Sequence, residues 1–353
     1  MRHILITGGA GFIGVNTADA FIRQGEKVTI FDNFSRKGTR ENAKWLKETH
    51  PEVQIIEGDV RNLAELEKAM KGQEVVLHLA GQVAVTTSVT DPREDFEINA
   101  LGSFNVLEAA RKMEKQPILL YSSTNKVYGG MEEMNVVERN GRWEYENLPG
   151  GVPETQPLDF HSPYGCSKGA ADQYFHDYSR IYGLRTVVFR QSCIYGTRQF
   201  GVEDQGWVAW FAIAALLKKP ITVFGDGKQV RDVLFIGDLI RAYQMAVDNI
   251  EVTAGQIYNI GRGPKNTMSL LELLDHLKRT LGREIPVTFD DWRPGDQKIF
   301  VCDIEKAEKE FGWKPEFSPE MGVEKLLTWI QYHADLLEKV LSLLCRIPHH
   351  SGL

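Results

Sequence analysis

Apolar and polar positions along this chain follow two rhythms, and the switches between them outline a fold. Short apolar runs at Ile4-Leu5-Ile6-Thr7, Lys27-Val28-Thr29-Ile30-Phe31, Val53-Gln54-Ile55-Ile56-Glu57, Val75-Val76-Leu77-His78-Leu79-Ala80 and Ile118-Leu119-Leu120-Tyr121-Ser122-Ser123 suit strands covered on both faces. Helical periods lie between them. One starts near Phe12 and turns Ile13, Ala18, Phe21 and Ile22 inward; others cover 63–70, about 96–113 and 164–182. This alternation predicts an α/β protein with a Rossmann-type doubly wound parallel sheet, whose right-handed crossovers bring the strand ends to one edge.

The pattern changes further on. Residues 131–160 hold Trp143, Tyr145, Pro149, Gly150, Gly151, Pro153 and Pro157 and predict an irregular insertion with a small hairpin. Helices are expected over 207–217, 238–248 and 269–280, the last capped by Ser269 or Thr267, with a short strand over 221–224. The expected organisation is a mainly nucleotide-binding domain over 1–190 and a smaller interleaved α/β substrate lobe over 191–330, with segments returning to the large domain. A helical tail follows over 331–353, where Leu336, Leu337, Val340, Leu341 and Leu344 are the residues expected to bury. Surplus apolar surface on the 96–113 and 164–182 helices predicts a homo-oligomer, dimer or tetramer.

A chain of 353 residues with 42% hydrophobic content can fill more than one core. Its formal charge of −7 argues against a nucleic-acid partner. No stretch reads as a membrane span or cleavable signal, so a cytoplasmic location without a membrane partner is expected. Cys166, Cys193, Cys302 and Cys345 match neither a zinc site nor a disulfide scaffold, and no metal is expected.

Two constellations carry chemistry. Gly8, Gly11 and Gly14 follow the first strand and precede a helix that begins near Phe12 and Ile13. This spacing lets a pyrophosphate approach the backbone at the helix N-terminus. Asp32 ends the next strand, where a carboxylate can bond a ribose diol and disfavour the extra phosphate of NADP. NAD is therefore the expected cofactor, although Arg36, Lys37 and Arg40 soften the preference. Asn33 and Arg36 beyond that acid are grouped with the cofactor site, as are Leu79 and Ser122 at later strand ends.

The second constellation is Tyr164 and Lys168, one turn apart on a helix that starts beside the strand ends. An ordinary tyrosine has a pKa of about 10; the Lys168 ammonium, expected also to bind the cofactor with Tyr164, and the dihydroxyl of a nicotinamide ribose favour its phenolate, which can take an alcohol proton as hydride leaves the carbon. Thr124, at the end of the fifth strand, is placed to hold the same oxygen, with Ser123 as the fallback.

These motifs resemble the extended short-chain dehydrogenase/reductase family that acts on nucleotide sugars. The resemblance runs from Arg2 to about residue 332 and includes Thr7-Gly8-Gly9-Ala10-Gly11-Phe12-Ile13-Gly14, Gly58-Asp59-Val60-Arg61, His78-Leu79-Ala80-Gly81, Asn99, the Tyr-Lys pair and Arg231-Asp232-Val233. It implies an NAD reduced and reoxidised within one cycle, with Asp59 and Val60 near adenine, Ala80 and Gln82 at the cofactor's middle and Asn99 on its wall. It also implies Arg231 and Arg293 as clamps on a sugar-nucleotide diphosphate. Asp296 is expected to fix the Arg293 loop.

Within the family, sugar dehydratases carry Asp-Glu where this chain has Asn125 and Lys126, so epimerisation is expected over dehydration. The stretches Val188 to Gly196 and Arg198 to Trp207, with Cys193 where many relatives have Asn, resemble a branch that inverts C2 of CDP-hexoses. That likeness implies a CDP-hexose substrate, with a UDP- or GDP-sugar 4-epimerase as the alternative. His161, Gln191, Ser192 and Cys193 are expected around the hexose, together with Ser123, Thr124 and Asn125. Gln199, Gln205 and Trp207 are expected at the base.

Overall fold

The computed structural model describes residues 1–203, 205–293 and 296–342. Strands β1 (His3–Thr7), β2 (Lys27–Asp32), β3 (Gln54–Glu57), β4 (Val75–His78), β5 (Ile118–Thr124), β6 (Thr186–Gln191) and β7 (Gln256–Ile260) form one seven-stranded sheet in the order β7-β6-β5-β4-β1-β2-β3. All its pairings are parallel. Successive strand residues face opposite sides. Ile4, Ile6, Ile30, Leu77, Leu120 and Phe189 pack with Val15 and Phe21 on one face, while Leu5, Phe31, Val76, Leu119 and Tyr121 pack with Val106, Leu107 and Phe175 on the other. The helices Phe12–Arg23 and Ile236–Asp248 belong to the first layer, and Leu63–Met70, Gly102–Arg111 and Ser162–Tyr182 to the second. With both faces covered, the runs must be apolar throughout, which is why they are legible in the sequence.

β4 stops at His78, so Leu79 and Ala80 lie in the following loop. The helix expected over 96–113 contains a π turn at Glu97–Leu101, followed by the helix Gly102–Arg111. Such turns re-phase a helix where one side chain must serve a site, and buried Asn99 sits in this one. Ile13 is only half-buried, while Gly14, Val15 and Thr17 sit in the interior beside Ala18, Phe21 and Ile22.

The remaining strands form small sheets. Met268–Ser269, Val230–Arg231 and Ile299–Phe300 make a three-stranded sheet; Cys193–Tyr195 pairs with Val233–Phe235, and Ile221–Phe224 with Val287–Asp290. The insertion folds as the antiparallel hairpin Val136–Arg139/Arg142–Tyr145. It docks on this lobe through Trp143 N–H to the Lys228 carbonyl and the Tyr145 hydroxyl to the Ile299 carbonyl, at 3.2 Å each. The chain returns to the large sheet through β7, so no single cut separates the two parts. Ser269 caps the helix Leu270–Leu281 in a reciprocal box with Glu272, at 3.1 and 2.7 Å, a contact worth ~1 kcal/mol.

In the tail helix Ala334–Ser342, Leu337 and Val340 are buried and Leu336 half-buried; the expectations for the Leu341 side chain, Leu344 and Cys345 lie outside what the structure describes. Among the described residues, no helix is long and apolar enough to cross a membrane.

Candidate active site

The sheet changes direction of winding between β1 and β4, the switch point at which open α/β sheets bind ligands. The β1 loop needs its glycines. Gly8 has φ +66° and sits against Ala80, and a Cβ on Gly14 would lie 2.3 Å from the Gly8 carbonyl oxygen. A Cβ on Gly11 would meet nothing nearer than that same oxygen, at 3.2 Å, so the cradle stays open where the helix beginning at Phe12 presents its amides.

Asp32 is buried at the end of β2. One carboxylate oxygen accepts from Ala10 N–H at 3.0 Å and the other from Phe34 N–H at 2.8 Å, while burial raises its pKa. It both closes the glycine loop and puts a carboxylate beside it. Arg61, through its hydrogen bond, holds the Asp59 carboxyl down to about 2; Asn33 donates to the same group at 2.9 Å. These residues, with buried Val60 on the next loop, form a wall suited to an adenosine.

The opposite wall is a polar knot around Asp95. This carboxylate accepts from Ser167 at 2.5 Å, Gln82 at 3.0 Å and Asn99 at 3.1 Å, and Asn99 Oδ1 accepts from Gln82 N–H at 2.9 Å. Asn99 is therefore a brace for the Gln82 loop, its amide committed inside the protein, and not a free wall group. Burial raises the Asp95 pKa.

Tyr164 and Lys168 lie on the helix Ser162–Tyr182, buried one turn apart. The Tyr164 pKa is raised by burial, and a hydrogen bond with Thr124 opposes that rise. Lys168 donates to the Ser122 carbonyl at 2.5 Å and stands 4.3 Å above the Tyr121 ring. Burial pulls its pKa down to about 7 against the attraction of Asp172 and Asp95. Burial thus favours the neutral phenol over the phenolate, and the ammonium is anchored on the strand backbone. No hydrogen bond joins the Lys168 ammonium to the Tyr164 phenol among the described residues.

Ser123 does not serve as a second Thr124. Strand alternation turns it to the other side, where it donates to Asp172 at 2.6 Å, and Asp172 also takes a two-point contact from Arg190 at 2.9 and 3.0 Å. Gln191 is likewise buried and donates to the Tyr243 hydroxyl at 2.6 Å, so its amide is spent in the core. Ser192 donates to buried Asp232. These three expected sugar contacts support the strand end from behind.

Around the remaining opening, Lys126 N–H donates to the Thr124 hydroxyl at 3.2 Å, and Asn125 follows Thr124 in a tight turn. Cys193 is half-buried with its pKa raised by burial, which fits a pocket wall and not a nucleophile. Arg231 is buried and donates to Asp296 and to the Gln297 carbonyl, both at 2.7 Å. Asp296 therefore pairs with Arg231, although its N–H also bonds the Arg293 carbonyl at 3.1 Å. Arg293 stacks 3.7 Å over Phe224 and donates to the Glu203 carbonyl at 3.2 Å.

Arg36 reaches across to Gln205, joining the cofactor wall to the loop expected at the base. Gln199 accepts from Gly196 N–H at 3.3 Å, Trp207 begins the helix Trp207–Leu216, and His161 sits at the mouth, paired with Asp159 at 2.8 Å. Sequence reading missed Asp95, Asp172, Arg190 and Gln297. Asp172 left a signal, four residues beyond Lys168 on the same helix face, and Asp95 a similar one, four residues before Asn99.

Sheet order, glycine cradle and the Tyr164-Lys168-Thr124 set define a nicotinamide-dinucleotide enzyme of the short-chain dehydrogenase/reductase class. The family model described as GDP-mannose 4,6 dehydratase matches residues 5–326, and the chain belongs to this family of extended enzymes that modify nucleotide sugars with NAD. It is 45% identical over 333 residues to a CDP-paratose 2-epimerase of Salmonella typhi, covering 92% of this chain and 98% of that protein. It is 34% identical over 329 residues to a putative UDP-glucose 4-epimerase of Methanocaldococcus jannaschii, covering 93% and 98%. The structure of a UDP-glucose 4-epimerase from Thermus thermophilus in complex with NAD superposes with a TM-score of 0.78 at 31% identity, over 93% of this chain and 99% of that one.

Proposed function

We propose that the protein epimerises a nucleotide-linked hexose by transient oxidation of one carbinol to a ketone and reduction on the opposite face. One observation carries this reading: the strand end that brings Thr124 to Tyr164 continues into Asn125 and Lys126, with no carboxylate to remove and add the protons of a dehydration. Bound NAD supplies the hydride acceptor and donor, and the open cradle at Gly11 with Asp32 beside it suits that dinucleotide. Tyr164 as the phenolate takes the sugar hydroxyl's proton and as the phenol later returns it; Thr124 holds the oxygen during both halves. Lys168, tied to the Ser122 carbonyl, keeps positive charge beside the site without blocking the phenol.

For the inverted carbon we propose C2 of a CDP-hexose, supported by the relative at 45% identity and by Cys193 in the pocket wall. Inversion at C4 of a UDP- or GDP-sugar is the second reading and has the broader backing, since several of the compared proteins bear 4-epimerase names. Incubation with CDP-, UDP- and GDP-hexoses in deuterium oxide, followed by proton NMR, locates the inverted carbon. Inversion that retains the carbon-bound proton supports internal hydride return; deuterium at the inverted carbon, or an eliminated product, refutes it.

Exposed Phe96, Phe104, Tyr174 and Ile181 on adjacent helices support a homo-oligomer. A cytoplasmic setting accords with free Cys166, Cys193 and Cys302.

A further inference from the structure

The opening beside Thr124 holds two cations and too little negative charge for both. Arg231 has Asp296 at 2.7 Å. Lys126, among the described residues, has no carboxylate within ion-pair distance, and its ammonium meets only the Gln297 side-chain oxygen, at 3.3 Å. Gln297 ties the two cations together, because its backbone carbonyl accepts from Arg231 at 2.7 Å while its own amide is fixed on the Gly129 carbonyl at 2.6 Å. Lys126 is also joined to the reacting end, through its backbone N–H on the Thr124 hydroxyl.

A partly buried ammonium with only a neutral amide for company is costly unless an anion completes the site. Burial, then repulsion from Arg231, lowers the Lys126 pKa, while Asp296 opposes the shift. We propose that Lys126 binds the sugar-side phosphate of the nucleotide diphosphate next to Arg231, and that holding this phosphate so near Thr124 presents C2 for oxidation.

The geometry follows from the sugar. C2 is bonded to the anomeric carbon that carries the phosphate, whereas C4 lies across the ring from it. A cation two residues from Thr124 can therefore hold the phosphate while the C2 hydroxyl sits on Thr124 and Tyr164. With C4 in that place, the phosphate would be carried a ring's width away. This regiochemical half rests on the C2 reading proposed above.

The test measures dissociation constants of CDP and CMP, and of UDP and UMP, by calorimetry on the NAD-loaded wild type, Lys126→Met and Lys126→Arg. CMP and UMP lack the phosphate in question. Loss of one charge-assisted contact should shrink the diphosphate-over-monophosphate preference about tenfold or more in Lys126→Met, leave monophosphate affinity unchanged, and be largely restored in Lys126→Arg. Melting curves and NAD content confirm that each variant is folded.

An undiminished preference in Lys126→Met overturns the phosphate contact even if the enzyme inverts C2. A collapsed preference in an enzyme whose NMR product is inverted at C4 upholds the contact and overturns its role in choosing C2.

Discussion

Replacing Lys168 with Met should make the cofactor-free protein more stable at neutral pH while removing its activity. The side chain is 6% exposed, and its pKa falls from the usual 10.5 to about 7, chiefly through burial. At ~1.4 kcal/mol per pH unit, keeping this ammonium charged in the fold costs up to ~5 kcal/mol. Methionine removes that cost, but it leaves the Ser122 carbonyl without its donor at 2.5 Å, a loss of ~1–3 kcal/mol. It also takes a nearby cation from Asp95 and Asp172. The net expectation is a gain of ~2 kcal/mol, or a few degrees in Tm.

The sign with pH follows from proton counting. Below about pH 7 both folded and unfolded lysine are protonated, so the cost to the wild type is fully present. Between about 7 and 10.5 the unfolded chain binds the extra proton, so wild-type stability rises and the variant's advantage narrows. Thermal melts of both proteins, stripped of NAD, at pH 6, 8 and 10 measure this. A variant that melts lower at pH 6, or an advantage independent of pH, refutes the reasoning.

Tyr164→Phe should keep NAD and lose ~100- to 10,000-fold in kcat, the range for a missing acid-base group; retention of most turnover in a steady-state assay removes the phenol from proton transfer. Asp172→Asn leaves the buried Arg190 guanidinium without its carboxylate and should cost ~3–5 kcal/mol, read from urea denaturation, where an unchanged midpoint contradicts it. Gly14→Ala places a Cβ 2.3 Å from the Gly8 carbonyl oxygen and 2.6 Å from the Gly9 Cα. The loop must open, and NAD affinity should fall about tenfold or more, ~1.4 kcal/mol, measured by fluorescence titration.

The sheet was legible because strands buried on both faces must be apolar throughout, and the glycine loop because backbone contact between Gly8, Gly14 and Ala80 excludes side chains. Tyr164 and Lys168 were legible because their relation is local, one helical turn. The same local logic failed for Ser123 and Gln191, which look like sugar contacts in the chain. Their hydroxyl and amide groups are taken by Asp172 and Tyr243, partners 49 and 52 residues away.

Asp95 shows the limit from the other side. Along the chain only Asn99, four residues on, is a marked neighbour, yet Asp95 ties Gln82, Asn99 and Ser167 into one wall beside the helix Ser162–Tyr182. Sequence alone determined the elements, their class and the residues proposed to react, because periodicity and backbone sterics act over a few residues. Which polar side chains line the opening, which brace it from behind, that Lys126 lacks a carboxylate partner among the described residues and that burial outweighs the attraction of Asp172 and Asp95 at Lys168 were decided by tertiary structure, since hydrogen bonding and desolvation depend on groups that meet only when the sheet closes.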